Sequence, residues 1–366
     1  MTTATLSTLN TELDLFSKLE TADHEQIVLC NDNSTGLKAI IAIHNTVLGP
    51  GLGGTRMWHY STEAEALNDV LRLSRGMTHK AAISGLNLGG AKAVIIGDAQ
   101  KHKSEALMRK FGRFVENLNG KYITAEDVGT TTKDMEYVNM ETNHVVGLPE
   151  SMGGGGDPSP VTAYGVYMGI KASAKKAYGS DSLGGKKIAV QGIGKVGMHL
   201  VELLHKDGAE IYVADINEDN LRYASKHYGV HIVTNEEIFT IPVDVFAPCA
   251  LGAILNTETI NNLNCNIVAG AANNQLAVED EHGPMLAEKG ILYAPDFLIN
   301  AGGLINVYSE HIGYNRETAL RDTEKIFDTT LSIYDLAEAQ KMHTQKAAIV
   351  LAEKRVNDIQ KVRSTY

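Results

Sequence analysis

The second half of the chain alternates short runs of β-forming residues with stretches of helical character. The runs are KKIAVQG, AEIYVAD, GVHIV, VDVFAPCA, CNIVAGAAN and ILYAPD. This alternation is typical of a parallel sheet with helices on both faces, because successive parallel strands need a crossover connection between them. We therefore predict a doubly wound parallel sheet in this half.

A glycine-rich turn follows the first of these strands. VQGIGKVG places Gly192, Gly194 and Gly197 in G-x-G-x-x-G spacing between a predicted strand and a predicted helix. The first glycine permits a tight turn, the second lets a pyrophosphate approach the backbone, and the third lets the helix pack closely on the strand. The next strand ends at Asp215, whose carboxylate would accept hydrogen bonds from an adenosine ribose. A glycine-bearing turn of another α/β protein is the alternative, but this context favours a Rossmann-type dinucleotide site.

The residues after Asp215 bear on the choice of cofactor. Ile216 and Asn217 carry no cation for a 2′-phosphate, so NAD is predicted in preference to NADP. Two further stretches, PCALGA and AGAANNQL, follow predicted strands at the sheet edge where ligands of such folds lie. Asn273 and Asn274 are candidate cofactor contacts there, and ordinary loop turn chemistry is an equal alternative.

The first half has a different pattern. QIVLCND and LKAIIAIHNT are predicted strands, joined in a hairpin by the turn-rich NSTG. STEAEALNDVLRLSRG, with a possible capping box from Thr62 to Glu65, and SEALMRKFGRFVENLNG, with Gly120 as its C-terminal cap, are predicted helices. KAAIS, AVIIG and YITAED are expected to form a sheet with the hairpin. The glycine and proline cluster PESMGGGGDPSP then marks a boundary.

Length and composition narrow the class further. A chain of 366 residues suits two domains, which we place at 1–150, a mixed-sheet α/β unit, and 151–330, followed by helices over 331–366 that would pack back on the first domain. A net charge of −11 argues against nucleic acid as a partner. Three widely spaced cysteines suggest neither a disulfide framework nor a metal site. Without a signal peptide or an apolar run long enough for a bilayer, we expect a cytoplasmic protein that does not bind membranes.

Charged residues and glycines of the first half are the candidate catalytic and substrate-binding residues. Lys80 and Lys92 flank AAISGLNLGGA, so a strand and a turn would bring both to one sheet edge. Gly53 and Gly54 would leave space for a small ligand to touch backbone, and Asp127 ends a predicted strand. Ordinary surface lysines, and a helix N-cap for Asp127, are the alternatives. Two ammonium groups and a carboxylate facing a nicotinamide would match an α-amino acid.

Seven motifs together resemble the glutamate, leucine, phenylalanine and valine dehydrogenase family, in order as well as content. They are GPGLGGTRMW, GMTHKAAISGLNLGGAK, YITAEDVGT, PSPVTAYGVYMGIKA, APCALGA, ANNQL and INAGGLINV, and the resemblance runs from about residue 29 to about residue 320. It implies NAD-dependent, reversible oxidative deamination of L-leucine and other branched-chain L-amino acids to 2-oxo acids and ammonia. It also implies a homo-oligomer, commonly an octamer, assembled through the first domain.

The resemblance assigns roles to individual positions. Lys80 matches the lysine that holds the substrate carboxylate, Lys92 the catalytic lysine, and Asp127 the catalytic aspartate. Gly53 and Gly54 match backbone close to the substrate. The resemblance places four residues in the side-chain pocket, namely Leu52, Ala125, Leu304 and Val307, and gives the cofactor Thr162 and Asn273 or Asn274, besides Gly192, Gly194, Gly197 and Asp215.

Two departures and a required pKa complete the prediction. Gly197 stands where family members often have alanine. Leu304 stands where valine is expected, and this difference leaves the preferred size of the substrate side chain open. A sibling enzyme for valine or phenylalanine, or a non-catalytic NAD-binding regulator, is the alternative. A base of ordinary lysine pKa, about 10.4, works poorly near neutral pH. Burial and the second cation, Lys80, are expected to lower the pKa of Lys92.

Overall fold

The computed structural model describes residues 22–363 together with Phe16 and Leu19. The chain forms two compact units, Met1–Thr78 with Leu88–Val145, and His79–Asn87 with Val146–Tyr366. The interpretation of residues 1–16 as free of a signal peptide falls almost entirely outside the described residues. Across the described part of the chain, no helix has the length and apolar character needed to cross a membrane.

The first unit contains a mixed five-stranded sheet, as predicted. Its strands are β1 (Gln26–Asp32), β2 (Leu37–Asn45), β3 (Gly51–Trp58), β4 (Gly89–Ile96) and β5 (Tyr122–Glu126), in the order β1-β2-β4-β3-β5. The hairpin β1–β2 is confirmed, β2 pairs antiparallel with β4, and β3 pairs parallel with both β4 and β5. The parallel trio β4-β3-β5 carries the candidate catalytic residues.

Three helices accompany this sheet: α1 (Glu63–Ile83), α2 (Glu105–Glu116) and α3 (Thr132–Asn139). Two details of the prediction are wrong. KAAIS is not a strand but the end of α1, because lysine and alanine favour helix and the chain leaves the helix only at Gly85, with φ of +74°. The strand β3, GLGGTRMW, was not among the predicted strands. Helix α2 also ends at Glu116, four residues before the left-handed Gly120.

The second unit contains a six-stranded sheet in which every pair is parallel. Its strands are β6 (Lys187–Gln191), β7 (Glu210–Ala214), β8 (His231–Ile232), β9 (Val243–Pro248), β10 (Cys265–Val268) and β11 (Leu292–Tyr293), in the order β11-β10-β9-β6-β7-β8. The order runs outward in both directions from β6, which confirms the doubly wound prediction. Ligands of such sheets lie at the carboxyl ends of the strands where the order reverses, here beside β6 and β9.

The helices of the second unit are α4 (Ser159–Tyr178), α5 (Lys195–Lys206), α6 (Glu218–Tyr228), α7 (Thr257–Asn262), α8 (Glu279–Glu288), α9 (Asp296–Ile299), α10 (Gly302–His311), α11 (Arg316–Glu324), α12 (Ile326–Gln340) and α13 (Thr344–Arg363). In α13, Arg355 donates hydrogen bonds to the carbonyls of Ala82 and Leu86, at 3.2 and 2.6 Å, and so caps the last turn of α1. The predicted domain boundaries stay a prediction.

Candidate active site

An ion pair between a buried lysine and a half-buried aspartate joins two of the predicted catalytic residues in the first unit. Lys92 lies within β4, and its side-chain nitrogen is 3.1 Å from Oδ2 of Asp127, the residue that follows β5. Lys92 is only 6% exposed. The prediction that Lys92 borders a turn at the sheet edge is therefore wrong in detail, because its strand begins at Gly89. The pairing places an amine and a carboxylate side by side across β3, which lies between β4 and β5.

The electrostatic environment suits Lys92 to proton transfer. Burial lowers the pKa of its ammonium group, which Asp127 partly offsets and the charge of Arg56 reinforces. Burial alone would raise the pKa of the Asp127 carboxyl, but the neighbouring charges of Lys92 and Arg56 outweigh it and hold that pKa below its ordinary value. Asp127 thus stays ionised while Lys92 can lose its proton closer to neutrality.

Arg56 is a site residue that the sequence prediction missed. It lies on β3, its Nε donates to Oδ2 of Asp127 at 3.1 Å, and its Nη1 donates to Oδ2 of Asp69 at 2.9 Å. The predicted second cation beside Lys92 was Lys80, but in the first unit that cation is Arg56. The signal was present, since Arg56 belongs to the quoted motif GPGLGGTRMW. Only its strand register against β4 and β5 reveals its partners.

The turn after β5 fixes Asp127 from the backbone side. The amide of Asp127 donates to Oγ1 of Thr130 at 2.9 Å, and that hydroxyl donates to the carbonyl of Thr55 at 2.9 Å. The competing interpretation of Asp127 as a helix N-cap is wrong, because Thr131 caps α3 through a complete capping box. The carboxylate of Asp127 is consequently available for the site.

The glycines of this unit are required by packing. A Cβ at Gly53 would lie 1.8 Å from the carbonyl oxygen of Ala91, and one at Gly54 would lie 2.4 Å from that of Glu126. A Cβ at Gly90 would lie 2.1 Å from the amide nitrogen of Thr78. These approaches are far closer than real Cβ contacts, so strands and helix pack backbone to backbone here. These contacts give a structural reason for the glycines, and the space that Gly53 and Gly54 would leave for a ligand stays a prediction.

Two of the predicted pocket residues, Leu52 and Ala125, lie on the parallel strands β3 and β5. Leu52 on β3 is buried and opposes Ile123 of β5, while Gly54 opposes Ala125, which is also buried. Both side chains are apolar, so neither offers a charge or a hydrogen bond to a substrate side chain.

In the second unit, Lys80 belongs to a hydrogen-bonded chain. Its nitrogen donates to Oδ1 of Asn300 at 2.6 Å, and Nδ2 of Asn300 donates to Oδ1 of Asn273 at 2.7 Å. Asn300 also donates to the carbonyl of Ala271 at 3.1 Å. The structure therefore connects the predicted carboxylate-binding lysine with the predicted cofactor loop. Sequence reasoning missed Asn300, although it begins the shared segment NAGGLINV.

The glycine-rich turn has the geometry expected of a dinucleotide site. Gly192 has φ of +90°, which only glycine adopts readily, and Gly194 is the N-cap of α5. A Cβ at Gly197 would lie 2.0 Å from the carbonyl oxygen of Gly192, so this glycine lets α5 pack on the turn. A Cβ at Gly194 would meet nothing within 4 Å, so the backbone is open at the helix N-terminus. The turn fits a pyrophosphate.

Asp215 holds this turn in place. Its carboxylate accepts hydrogen bonds from the amides of Ile193 and Asn217, both at 2.7 Å. Each oxygen can accept a further hydrogen bond. The residue thus combines a structural contact to the glycine turn with the ribose-binding position predicted for it.

The remaining predicted residues lie on three segments of the second unit. Asn274 has a left-handed backbone, with φ of +51°, and its carbonyl accepts from the amide of Ala253 at 2.7 Å. Thr162, in the first turn of α4, donates from its hydroxyl to the carbonyl of Pro158 at 3.0 Å. Leu304 is buried and Val307 half-buried, one turn apart on α10.

A doubly wound parallel sheet with a glycine-rich turn in one unit, and a lysine–aspartate pair in the other, are typical of nicotinamide-dependent dehydrogenases. The profile of the "Glu/Leu/Phe/Val dehydrogenase, dimerisation domain" matches residues 24–144, and that of "Glutamate/Leucine/Phenylalanine/Valine dehydrogenase" matches residues 153–218 and 213–364. The chain belongs to this family and is an NAD(P)-dependent amino-acid dehydrogenase.

Individual relatives match over nearly the whole chain. The leucine dehydrogenase of Thermoactinomyces intermedius is 53% identical over 97% of this chain and 96% of its own length. The phenylalanine dehydrogenase of Bacillus thermotolerans is 48% identical, over 94% and 91%. The crystal structure of L-tryptophan dehydrogenase from Nostoc punctiforme superposes with a TM-score of 0.86 at 46% identity, over 94% of this chain and 99% of that one.

Proposed function

We propose that this enzyme catalyses the reversible oxidative deamination of L-leucine and other branched-chain L-amino acids with NAD. The observation that carries the proposal is the ion pair of the buried Lys92 with Asp127, at the sheet that also carries the apolar Leu52 and Ala125. The higher identity to the leucine dehydrogenase than to the phenylalanine dehydrogenase supports the aliphatic substrate.

The proposed mechanism divides the chemistry among three side chains. Lys80 binds the substrate carboxylate through its positive charge, and Asp127 accepts a hydrogen bond from the substrate amino group. NAD, when bound, supplies the acceptor for the hydride that leaves Cα. Neutral Lys92 then takes a proton from the water that adds to the resulting imine, and returns a proton to the departing amine. The lowered pKa of Lys92 favours the neutral amine that this step requires.

The proposed substrate contacts are apolar or backbone groups. Gly53 and Gly54 bring backbone toward the substrate, and four side chains contact its hydrocarbon chain: Leu52, Ala125, Leu304 and Val307. None of the four has a side-chain hydrogen-bond donor or charge, so a glutamate side chain would be desolvated without a partner. Aliphatic substrates would differ in rate by the size of their side chains.

The proposed preference for NAD rests on charge. Asp215 is the proposed ribose contact, and Glu218 and Asp219 follow on the first turn of α6. These carboxylates would repel a 2′-phosphate, whereas a ribose hydroxyl can donate to Asp215. Five other residues are proposed cofactor contacts, namely Gly192, Gly194, Thr162, Asn273 and Asn274, with Gly197 supporting the turn.

We further propose that residues 1–150 bind substrate and mediate a homo-oligomer, which the matched dimerisation domain supports. Residues 151–330 bind NAD, and the packing of the C-terminal helices of 331–366 on the first domain stays a prediction. The octameric state and the cytoplasmic location stay predictions.

A substrate panel tests the proposal. Initial rates with leucine, isoleucine, valine, phenylalanine, tryptophan and glutamate, each with NAD and NADP, should give the highest kcat/KM for a branched-chain substrate with NAD. An aromatic optimum would replace this substrate assignment. An absence of turnover with every amino acid would support the alternative of a non-catalytic NAD-binding regulator.

A further inference from the structure

We infer that Asp69 and Arg56 form a positioning relay that orients the carboxylate of Asp127 toward the substrate amino group. This inference rests on the proposed function. The relay links α1, which carries Asp69, to β3, which carries Arg56, and to the turn after β5, which carries Asp127. The sequence motifs that predicted the site gave no role to Arg56 or Asp69.

The first step of the argument is the use of one oxygen of Asp127. Lys92 and Arg56 both contact Oδ2 of Asp127, each at 3.1 Å. Both contacts are made to the same oxygen, and among the described residues Arg56 donates no hydrogen bond to Oδ1. The two cations therefore hold the carboxylate in one rotational position and leave Oδ1 to accept from a ligand.

The second step is how Arg56 keeps its single contact with Asp127. A guanidinium beside a carboxylate prefers a bidentate pair, in which both carboxylate oxygens are used. Arg56 instead divides its donors, with Nε on Asp127 and Nη1 on Asp69. Its side chain is 22% exposed. Asp69 thus draws the guanidinium away from Oδ1.

The third step is the anchoring of Asp69. Its Oδ2 also accepts from the hydroxyl of Tyr60 at 2.7 Å, and its Oδ1 accepts from Arg72 at 3.0 Å. Tyr60 is buried, and the Asp69 side chain is 16% exposed. A surface ion pair would contribute little, but a carboxylate held by a buried hydroxyl and a half-buried guanidinium has a fixed geometry.

The same charges act on Lys92 with opposite signs. The charged groups around its ammonium are Asp127 after β5, Arg56 on β3 and Asp69 on α1. Removing the negative Asp69 disfavours the ammonium form, whereas removing the positive Arg56 favours it. The acidic limb of the pH profile, which reports deprotonation of Lys92, would therefore move in opposite directions in the two variants.

The experiment compares Asp69→Asn, Arg56→Met and Tyr60→Phe with a matched control, Glu141→Gln. Glu141 is 12% exposed in the same unit and also accepts from two arginines, Arg109 and Arg113. For Asp69→Asn we expect kcat to fall about tenfold or more and the acidic limb of kcat/KM to move to lower pH by about half a unit. Arg56→Met should also lose kcat but move the limb to higher pH. Tyr60→Phe, which changes no charge, should lower kcat without moving the limb.

Thermal unfolding midpoints show whether a variant has lost stability instead of the orientation of the Asp127 carboxylate. Glu141→Gln gives the effect of losing a comparable ion pair. The relay is overturned if Asp69→Asn matches Glu141→Gln in kcat and leaves the limb in place. The pH dependence of Lys92 acylation by acetic anhydride, read by peptide mass spectrometry, needs no turnover. If the wild-type enzyme oxidised no amino acid, the proposed function would fail, and an unmoved acylation profile in Asp69→Asn would separately overturn the relay.

Discussion

The side-chain nitrogen of Lys80 donates a 2.6 Å hydrogen bond to Asn300, and the amide of Asn300 in turn donates to Asn273 at 2.7 Å. One asparagine therefore touches both the proposed carboxylate-binding lysine and the proposed cofactor loop. An aliphatic side chain at this position could neither accept from Lys80 nor donate to Asn273.

Asn300→Ala should raise the KM for leucine and the KM for NAD together, each by roughly tenfold, because hydrogen bonds to a charged group contribute about 1.5–3 kcal/mol. Steady-state kinetics with each substrate varied in turn measure both constants. Asn266→Ala serves as control, since that amide donates only to the hydroxyl of Tyr178 in an exposed position. A rise in the leucine KM alone would show that Asn300 does not couple the two ligands.

Lys92→Ala should abolish turnover while NAD binding persists, because Lys92 lies in the first unit and the glycine turn in the second. General acid–base groups contribute roughly 10²-fold or more to rate. Stopped assays with high enzyme concentrations give the residual kcat, and fluorescence titration with NADH gives the affinity. A variant that keeps more than about a tenth of the wild-type rate would remove Lys92 from the chemistry.

The pH profile should reflect the lowered pKa of Lys92. Deamination needs neutral Lys92, so kcat/KM rises with pH through the folded pKa of this group and then levels off. Because burial lowers that pKa from its ordinary value, the rise should be complete at a lower pH than the titration of a free lysine would give. A profile that continued to rise up to about pH 10.4 would indicate an unperturbed lysine and contradict the assigned base.

The sequence predicted the two-unit α/β architecture well because its signals are local. Strand runs, the hairpin turn and the glycine spacing each lie within a few residues, and the parallel sheet follows from their alternation. The prediction of a strand at KAAIS was wrong because it too relied on a local signal. A short apolar run fits a strand or a helix end equally well. Its helical state depends on continuity with α1.

The candidate site was less predictable because its decisive contacts are long-range. The partners of Arg56 are 13 and 71 residues away in sequence, and Asn300 lies 220 residues from Lys80. Likewise, Gly53 and Gly90 are glycines because the carbonyl of Ala91 and the amide of Thr78 occupy the space of a side chain. A local sequence pattern does not indicate which backbone segment will pack against a given glycine.

Asp215→Ala should weaken NAD binding through two losses at once. The carboxylate would no longer accept from the proposed ribose hydroxyl, and the amides of Ile193 and Asn217 would lose their acceptor. We expect the KM for NAD to rise at least tenfold while the KM for NADP changes less, because repulsion of the 2′-phosphate also disappears. The ratio of kcat/KM for the two cofactors measures this, and an unchanged ratio would mean that Asp215 does not face the ribose.

The last prediction concerns the choice among aliphatic substrates. Ala125 is buried on β5 opposite Gly54, one residue short of the strand end that leads to Asp127. Enlarging it in Ala125→Leu should shrink the proposed pocket and penalise leucine more than valine, because one methylene in an apolar pocket changes binding by about 1–3 kcal/mol. We expect the ratio of kcat/KM for leucine over valine to fall by roughly tenfold or more. Ile123→Leu, a substitution of similar volume on the same strand, is the control for general repacking of β5. A leucine-to-valine ratio in Ala125→Leu equal to that of the control would place Ala125 outside the substrate pocket.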